Sequence, residues 1–287
     1  MDSGRSLKHQ VSISHLTKQE VKLAVDWAQK EGWNPGIHDA ECFFNSDPEG
    51  FYAAKIAGEV VATTSVVKYS EDFAFEGLLI VKPEFRGKGI GLMIQSFVNG
   101  LCKNLNLGLD GVLPMQEKYE RVGFKFAHKN TRYGGIAEGK PSDRCMPVSK
   151  KDFAEVASFD SRFFPATRFT FLECWLFQKD ASALMVRDKS TDAICGYGVI
   201  RKCARGHKIG PLFAEDEDIA EMLFEGLVST VAGEEVFLDV PEPNRAAIRL
   251  AKRNGMQPVF STVRMYTKTA PALPLDKIYG VTSFELG

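Results

Sequence analysis

The stretch Leu78–Gly91, LLIVKPEFRGKGIG, runs from an apolar segment through a proline to an arginine followed by three glycines spaced two apart. Several kinds of site place glycine at a strand-to-helix turn, and the spacing separates them. A P-loop needs G-x-x-x-x-G-K-S/T, whose hydroxyl serves the metal. Here Lys88 is followed by Gly89, and no Ser or Thr comes before Ser96. A dinucleotide fingerprint needs G-x-G-x-x-G and an acidic residue about 20 positions on. Gly87 and Gly89 fit its first two positions, but the third falls on Leu92. What remains is R-G-x-G-x-G, a loop suited to wrap a pyrophosphate. Glycines without Cβ atoms let successive N–H groups converge on phosphate oxygens. A helix starting near Gly89 adds its unpaired N–H groups and its dipole, and Arg86 adds a charge-assisted contact.

The segment VKPEFRGKGIG resembles the acyl-CoA-binding motif of the GNAT acetyltransferases, Q/R-x-x-G-x-G/A after a strand and an x-P-x-x. The resemblance covers about residues 11–133. It implies acetyl-CoA as cofactor, coenzyme A as product and no metal, with Arg86, Gly87, Lys88, Gly89, Ile90 and Gly91 holding the pyrophosphate. It also implies a splayed strand, here Leu79, Ile80 and Val81, whose backbone pairs the pantetheine arm.

The flanking elements agree. Thr17 and Glu20 make a capping box, after which Val21, Ala24, Val25 and Ala28 recur at helical spacing up to Gly32. NPGIHDAECFF reads as a turn and a short helix, and GFYAAKIAGEVVATTSVVKY as a hairpin turning at Ala57-Gly58. DFAFEGLLIV is a strand ended by Pro83, and Ile90, Ile94, Phe97, Val98, Leu101 and Leu105 form a helical stripe. LGLDGVL, PMQEKYERV and GFKFAHK read as strand, helix and strand. Helix, helix, three strands, helix, strand, helix, strand is the order the resemblance implies.

A chain of 287 residues suits two domains of roughly 140 each. The second repeats the first. At a constant offset of 132, Arg121 meets Arg253, Gly123 meets Gly255, Arg132 meets Arg264, and FYAAK meets ALMVR. The expected fold is α+β: two tandem GNAT-like lobes, each a mixed, mostly antiparallel twisted sheet flanked by helices. The expected boundaries are an acetyl-CoA lobe at 1–135, a Gly-, Pro- and charge-rich linker at 136–152, and a degenerate lobe at 153–287. The offset lays Asp218–Leu223, preceded by Glu215, Asp216 and Glu217, over the glycine loop, and Ala251 over Tyr119. No glycine opens that backbone and four acids repel a pyrophosphate, so one cofactor site per chain is expected. A tandem GNAT subfamily exists, and the segments GWNPGIHDAECFFNSDPEGFYAA and IYGVTSFELG resemble it.

A net charge of −1 gives no field for nucleic acid or a membrane surface, and no apolar run approaches about 18 residues. The opening MDSGRSLKHQ lacks a leader's apolar core. Six cysteines without C-x-x-C pairs read as reduced thiols of a cytoplasmic protein.

Acetyl transfer to an amine needs a polarised carbonyl, a deprotonated nucleophile and a stabilised thiolate. By the resemblance, an N–H of Leu79–Val81 meets the thioester oxygen. Tyr119, four residues before Gly123-Phe124, meets the sulfur; a tyrosine packed at the lobe's edge is the alternative. Many relatives carry Asn seven residues before this tyrosine, where Val112 stands. Glu76, on the strand leading to the loop, is the candidate base. Strict alternation puts it on the face of Leu78 and Ile80, opposite Phe75 and Leu79. A plain strand carboxylate, or a water relay to Glu71, Asp72 or a carbonyl, is the alternative. His38 and Asp39 border the acceptor in the resemblance, and His38 is otherwise a turn residue. The sequence reading is an N-acetyltransferase acting on a small-molecule primary amine by direct attack in a ternary complex, with the acceptor between the lobes. Its alternatives are a non-catalytic acyl-CoA sensor and a protein or peptide N-acetyltransferase. Nothing in the sequence speaks to oligomeric state.

Overall fold

Thr17 caps the first helix, α1 (Lys18–Lys30): its side chain accepts from the Glu20 N–H while the Glu20 side chain accepts from its own. Val21, Ala24, Val25, Trp27 and Ala28 form the helix's buried face. A second helix, α2 (Asp39–Ser46), follows. The computed structural model describes residues 11–136 and 138–287. The opening segment considered as a leader, 1–10, lies outside the described residues.

Strands β2 (Phe51–Ile56) and β3 (Glu59–Lys68) form the expected hairpin, turning through Ala57 (φ 49°) and Gly58 (φ 84°). Strand β4 (Phe73–Val81), helix α3 (Ile90–Leu101), strand β5 (Asn106–Val112), helix α4 (Gln116–Arg121) and strand β6 (Lys125–Ile136) complete the first half. The structure adds a strand ahead of α1, β1 (Val11–His15), which pairs antiparallel with β2. The second half repeats the pattern. It comprises β7 (Met146–Pro147), α5 (Phe153–Asp160), α6 (Phe169–Phe177), β8 (Ala181–Arg187), β9 (Ile194–Lys202), β10 (His207–Ala214), α7 (Glu217–Ser229), β11 (Glu235–Pro241), α8 (Arg245–Arg253) and β12 (Gln257–Tyr266), then a short β13 (Ile278–Gly280).

The strands join in one sheet, ordered β1-β2-β3-β4-β5-β12-β6-β11-β10-β9-β8-β7, with β13 on β10. Each half lends its last long strand to the other: β12 pairs with β5, and β6 with β11. The exchange is locked by two matching ion pairs. Arg132 of β6 donates to both oxygens of Asp239 on β11, and Arg264 of β12 to both oxygens of Asp110 on β5. All four side chains are buried. Burial alone would raise the Asp239 carboxyl, but the Arg132 guanidinium holds it below the usual carboxylate range.

One face of the sheet carries α1, α2, α5 and α6 over a core shared by both halves, including Trp27, Phe43, Phe163, Trp175 and Phe284. The other face carries two separate cores, under α3 in the first half and under α7 and α8 in the second. On the shared face the expectation of six reduced thiols is overturned: Cys42 of α2 and Cys174 of α6 form a disulfide, and the other four cysteines are free. The bonded pair are 132 residues apart, the repeat offset itself. They are one position seen twice, brought together because α2 and α6 pack against each other where the halves meet. Local spacing could not announce that. Among the described residues no helix is long and apolar enough to cross a membrane.

Candidate active site

Strand β4 pairs in parallel with β5 from Phe73–Asn106 to Glu76–Leu109 and then parts from it. Just past that point β4 bulges. Gly77 faces Ser65 and Ile80 faces Thr63, so Leu78 and Leu79 together stand opposite Thr64. Leu78 takes φ 50°, a left-handed value unusual for a branched side chain. Two β3 hydroxyls secure it: Thr63 donates to the Leu78 carbonyl at 2.9 Å and Thr64 to the Gly77 carbonyl at 3.3 Å. Beyond the bulge, Leu79, Ile80 and Val81 run on without β5, leaving a wedge.

The bulge also shifts the alternation of side chains, and the expected facing of Glu76 is corrected. Leu78 and Ile80 join the shared core beneath α1 and α2, whereas Leu79 and Val81 pack into the core under α3. Glu76 faces α3 as well, where Gln95 Nε2 donates to its Oε2 at 2.9 Å. Period-two counting fails here because two residues occupy one register step.

Glu76 is 2% exposed, and its Oε1 has no hydrogen-bond partner. Burial pushes its carboxyl up to about 7, against the pull of the Gln95 bond. Tyr119, on α4, packs edge-on to Phe124 with centroids 6.0 Å apart. Its ring rests on Gly111, where an added Cβ would come 2.5 Å from Cε2, so glycine makes the seat. Burial, and then the Glu76 carboxylate, push the Tyr119 phenol well up. The structure therefore brings Glu76 and Tyr119 to one side of the sheet beside the wedge. Gln95, Gly111 and the two threonines escaped the sequence reading. A glutamine next to Ile94 on an apolar stripe was the available signal.

The glycine loop closes the wedge's outer end. Gly87 (φ 75°) and Gly89 (φ 83°) are both left-handed, and Gly89 is the N-cap of α3 with no side-chain cap. The first N–H groups of α3, at Ile90, Gly91 and Leu92, precede its first intrahelical bond, from Met93 to the Gly89 carbonyl. Arg86 is turned back: its Nε donates to the Val81 carbonyl at 2.9 Å and its Nη2 meets Glu31 at 2.5 Å. Lys88 is exposed, with its ammonium 5.2 Å from the Phe85 ring centre.

His38 and Asp39 stand where the two halves meet. Asp39 is fully buried, its Oδ1 accepting from Arg201 Nε at 2.9 Å and its Oδ2 from the Gly36 N–H at 2.7 Å. Oδ1 joins the halves through Arg201, and Oδ2 closes the local turn at Gly36. His38 Nε2 lies 2.9 Å from Asp180 on the surface. It lines a cleft of about 420 Å³ between α2 and α6, together with Cys42, Cys174, Asn45 and Lys150.

In the second half the segment overlying the loop makes a different structure. Asp216 caps α7, its side chain accepting from the Ile219 N–H at 2.9 Å. Glu217 pairs with Arg249 and Arg253, and Glu215 with Arg162 and Lys277. Past the β10–β11 pairing, which ends at Ile209–Leu238, β13 enters the corresponding wedge. It pairs with β10, and the Val281 N–H that follows it donates to the Asp239 carbonyl of β11 at 2.9 Å.

Two family models match the chain: "Acetyltransferase (GNAT) family" over residues 18–124 and "Acetyltransferase (GNAT) domain" over residues 156–280. The chain is similar to a holothin acyltransferase of Pseudoalteromonas, 31% identical over 94% of this chain and 92% of that protein. A Pyrococcus horikoshii protein assigned to the acetyltransferases superposes with a TM-score of 0.82 at 21% identity, covering 97% of this chain and 96% of its own. A tandem GNAT protein from the clavulanic acid biosynthesis pathway gives a TM-score of 0.65 at 14% identity, over 91% and 99% of the two chains.

Proposed function

The chain belongs to the GNAT acetyltransferase family of enzymes, and from that premise we propose that it transfers an acetyl group from acetyl-CoA to a primary amine of a small molecule by direct attack in a ternary complex. The observation that carries this reading is the first-half wedge. A secured bulge opens β4 from β5, a left-handed glycine loop stands at its outer end, and Tyr119 and Glu76 flank its inner side.

Acetyl-CoA, the family's cosubstrate, supplies the activated thioester when bound. The free edge of Leu79–Val81 would pair the pantetheine arm, with one N–H held toward the thioester oxygen. N–H groups at Gly87–Gly91 would hold the pyrophosphate, with Lys88 free to add charge. Arg86 contributes by bracing the loop against Val81 and Glu31. Tyr119, held protonated through the working pH range, donates a hydrogen bond where charge develops on sulfur. Glu76 is poised near pH 7 to exchange a proton on the same side of the sheet.

The test is thiol release from acetyl-CoA with a panel of primary amines, amino acids and peptides, holothin included because a relative's name carries it. Acetylation of a small amine with saturable kinetics is the expected result. Stoichiometric acetyl-CoA binding with no turnover on any amine would turn the reading into a sensor. Turnover confined to peptides would make it a protein-modifying enzyme.

A further inference from the structure

Beyond β13 the chain stays inside the molecule. Residues 281–287 are all buried, and they thread between the two halves. The Thr282 carbonyl crosses Gly210, where an added Cβ would stand 2.6 Å from it, and Arg168 donates to Thr282 Oγ1 at 2.9 Å. The Tyr69 hydroxyl donates to the Leu286 carbonyl at 3.0 Å. Between these anchors the Glu285 carbonyl lies over Gly77, so close that any Cβ there would collide with it. Gly77 directly follows Glu76, and adjacent strand residues point to opposite faces. Glu285 therefore crosses the start of the β4 bulge on the side away from Glu76, Gln95 and Tyr119.

The Glu285 side chain is unusual for a buried acid. It is 2% exposed, and neither oxygen has a hydrogen-bond partner. No lysine or arginine nitrogen among the described residues comes within 4.0 Å of it. Yet three cations share its neighbourhood: Arg132, Arg201 and Lys208. Each Arg132 nitrogen has a partner, in Asp239 or the Trp33 carbonyl. Arg201 leaves Nη2 unpaired after serving Asp39, and Lys208 makes a single long bond of 3.5 Å to the Trp33 carbonyl. The remaining charged or titratable neighbours of this set are Asp39, Asp239 and Cys203. A buried acid, an ammonium and a guanidinium NH2 thus keep open hydrogen-bonding capacity in one place. Interior charges are held only at high cost unless such capacity is filled.

We propose that Glu285, with Lys208 and Arg201 behind it, binds the acceptor's primary amine on the face of β4 away from Tyr119 and takes its proton during transfer. The inference rests on the acyltransferase reading and names the side and the group that receive the acceptor. An amine attacks only when neutral, and a neutral NH2 offers N–H donors to Glu285. Lys208 and Arg201 disfavour its ammonium form by like charge. In the transfer the nitrogen lone pair forms the C–N bond and the C–S bond breaks with its electrons going to sulfur. The surplus N–H proton passes to the Glu285 carboxylate, and the thiolate takes a proton from solvent to leave as coenzyme A.

The test uses the full chain and its Glu285→Gln and Glu285→Asp variants, with methylamine and benzylamine as acceptors. Acetyl-CoA binding is measured first in each protein. Glu285→Gln should bind acetyl-CoA within about twofold of the unaltered chain, while its kcat/KM for methylamine falls by about a hundredfold and Glu285→Asp recovers part of it. Crystals grown with coenzyme A and soaked in methylamine should show the amine at Glu285. An unchanged kcat/KM, or the amine bound elsewhere, overturns the inference while leaving transfer itself intact. An unaltered chain that binds acetyl-CoA but acetylates neither amine, nor any other, overturns the acyltransferase reading and this inference with it. Should Glu285→Gln not fold, Lys208→Met decides. Loss of that charge should move the rise of kcat/KM for methylamine to higher pH, and an unmoved profile overturns the role.

Discussion

The two halves have the same frame and opposite wedges. In the first, β4 and β5 part beyond Glu76–Leu109, and no strand among the described residues enters. In the second, β10 and β11 part beyond Ile209–Leu238, and β13 fills the gap with backbone hydrogen bonds. The position holding Glu76 in one half holds Lys208 in the other, at the offset of 132 that also separates the disulfide cysteines. A splayed strand pair leaves backbone groups that must be satisfied by something. One half is completed by the chain itself, and in the reading proposed above the other is completed by the cofactor laid in like an extra strand. Duplication supplies two wedges, and what fills each decides which one is a site.

The sharpest way to break that comparison is to count sites. Calorimetry should return one coenzyme A per chain, and Arg86→Glu with Gly89→Glu should reduce it to none while circular dichroism stays native. The arginine change reverses charge and loosens the loop from Glu31, and the glycine change puts a side chain at φ 83° in the cradle. Two equivalent sites, or native affinity in the double variant, would mean the open wedge has been misassigned.

Next in size is the tie between equivalent positions of α2 and α6. Reduction, or Cys42→Ser, should lower stability by about 2–4 kcal/mol, read from denaturant midpoints, since the bond closes a very long loop. Unchanged midpoints would mean that the strand exchange alone unites the halves.

Glu76 sharpens the contrast with Lys208 through pH. Its carboxyl stands at about 7 in the fold against a reference of 4.5. Below pH 4.5 it is neutral folded or unfolded and costs nothing through ionisation. Between these values the unfolded chain loses the proton first, so stability falls as pH rises, and it levels off above about 7. Glu76→Gln should therefore be the more stable protein at pH 8, by up to about 3 kcal/mol, and lose that advantage near pH 4. A gap that does not depend on pH would show the carboxyl to be unperturbed.

The smallest effect expected is at Tyr119. Tyr119→Phe should lower kcat by about tenfold to a hundredfold with a near-normal Kd for acetyl-CoA. Because the phenol is pushed well up, its loss should leave the pH profile's upper limb where it was. Unchanged turnover, with chemistry rate-limiting, would leave Tyr119 a packing residue seated on Gly111.

Much of this molecule was legible in order. The capping box at Thr17, the turn at Ala57-Gly58 and the loop glycines are local devices, each set by a few neighbouring residues and a φ that the chain itself demands. The repeat was legible too, from residues matching 132 apart, but the offset is not constant: the helix N-caps Gly89 and Asp216 stand 127 apart and the paired Asp110 and Asp239 stand 129 apart, because the connecting segments differ in length. The tertiary structure decided what depends on residues far apart. The exchange of β6 and β12, the Cys42–Cys174 bond and the entry of β13 into the second wedge all arise where two similar halves meet, and no local pattern records the meeting. The bulge at Leu78 turned Glu76 toward Gln95 against strict alternation, since register is fixed by the partner strand and by Thr63 and Thr64 rather than by counting. Sequence determined most of the elements and the glycine loop. Packing between the halves determined which wedge stays open and which buried carboxylates stand beside it, because burial and pairing are properties of the assembled sheet.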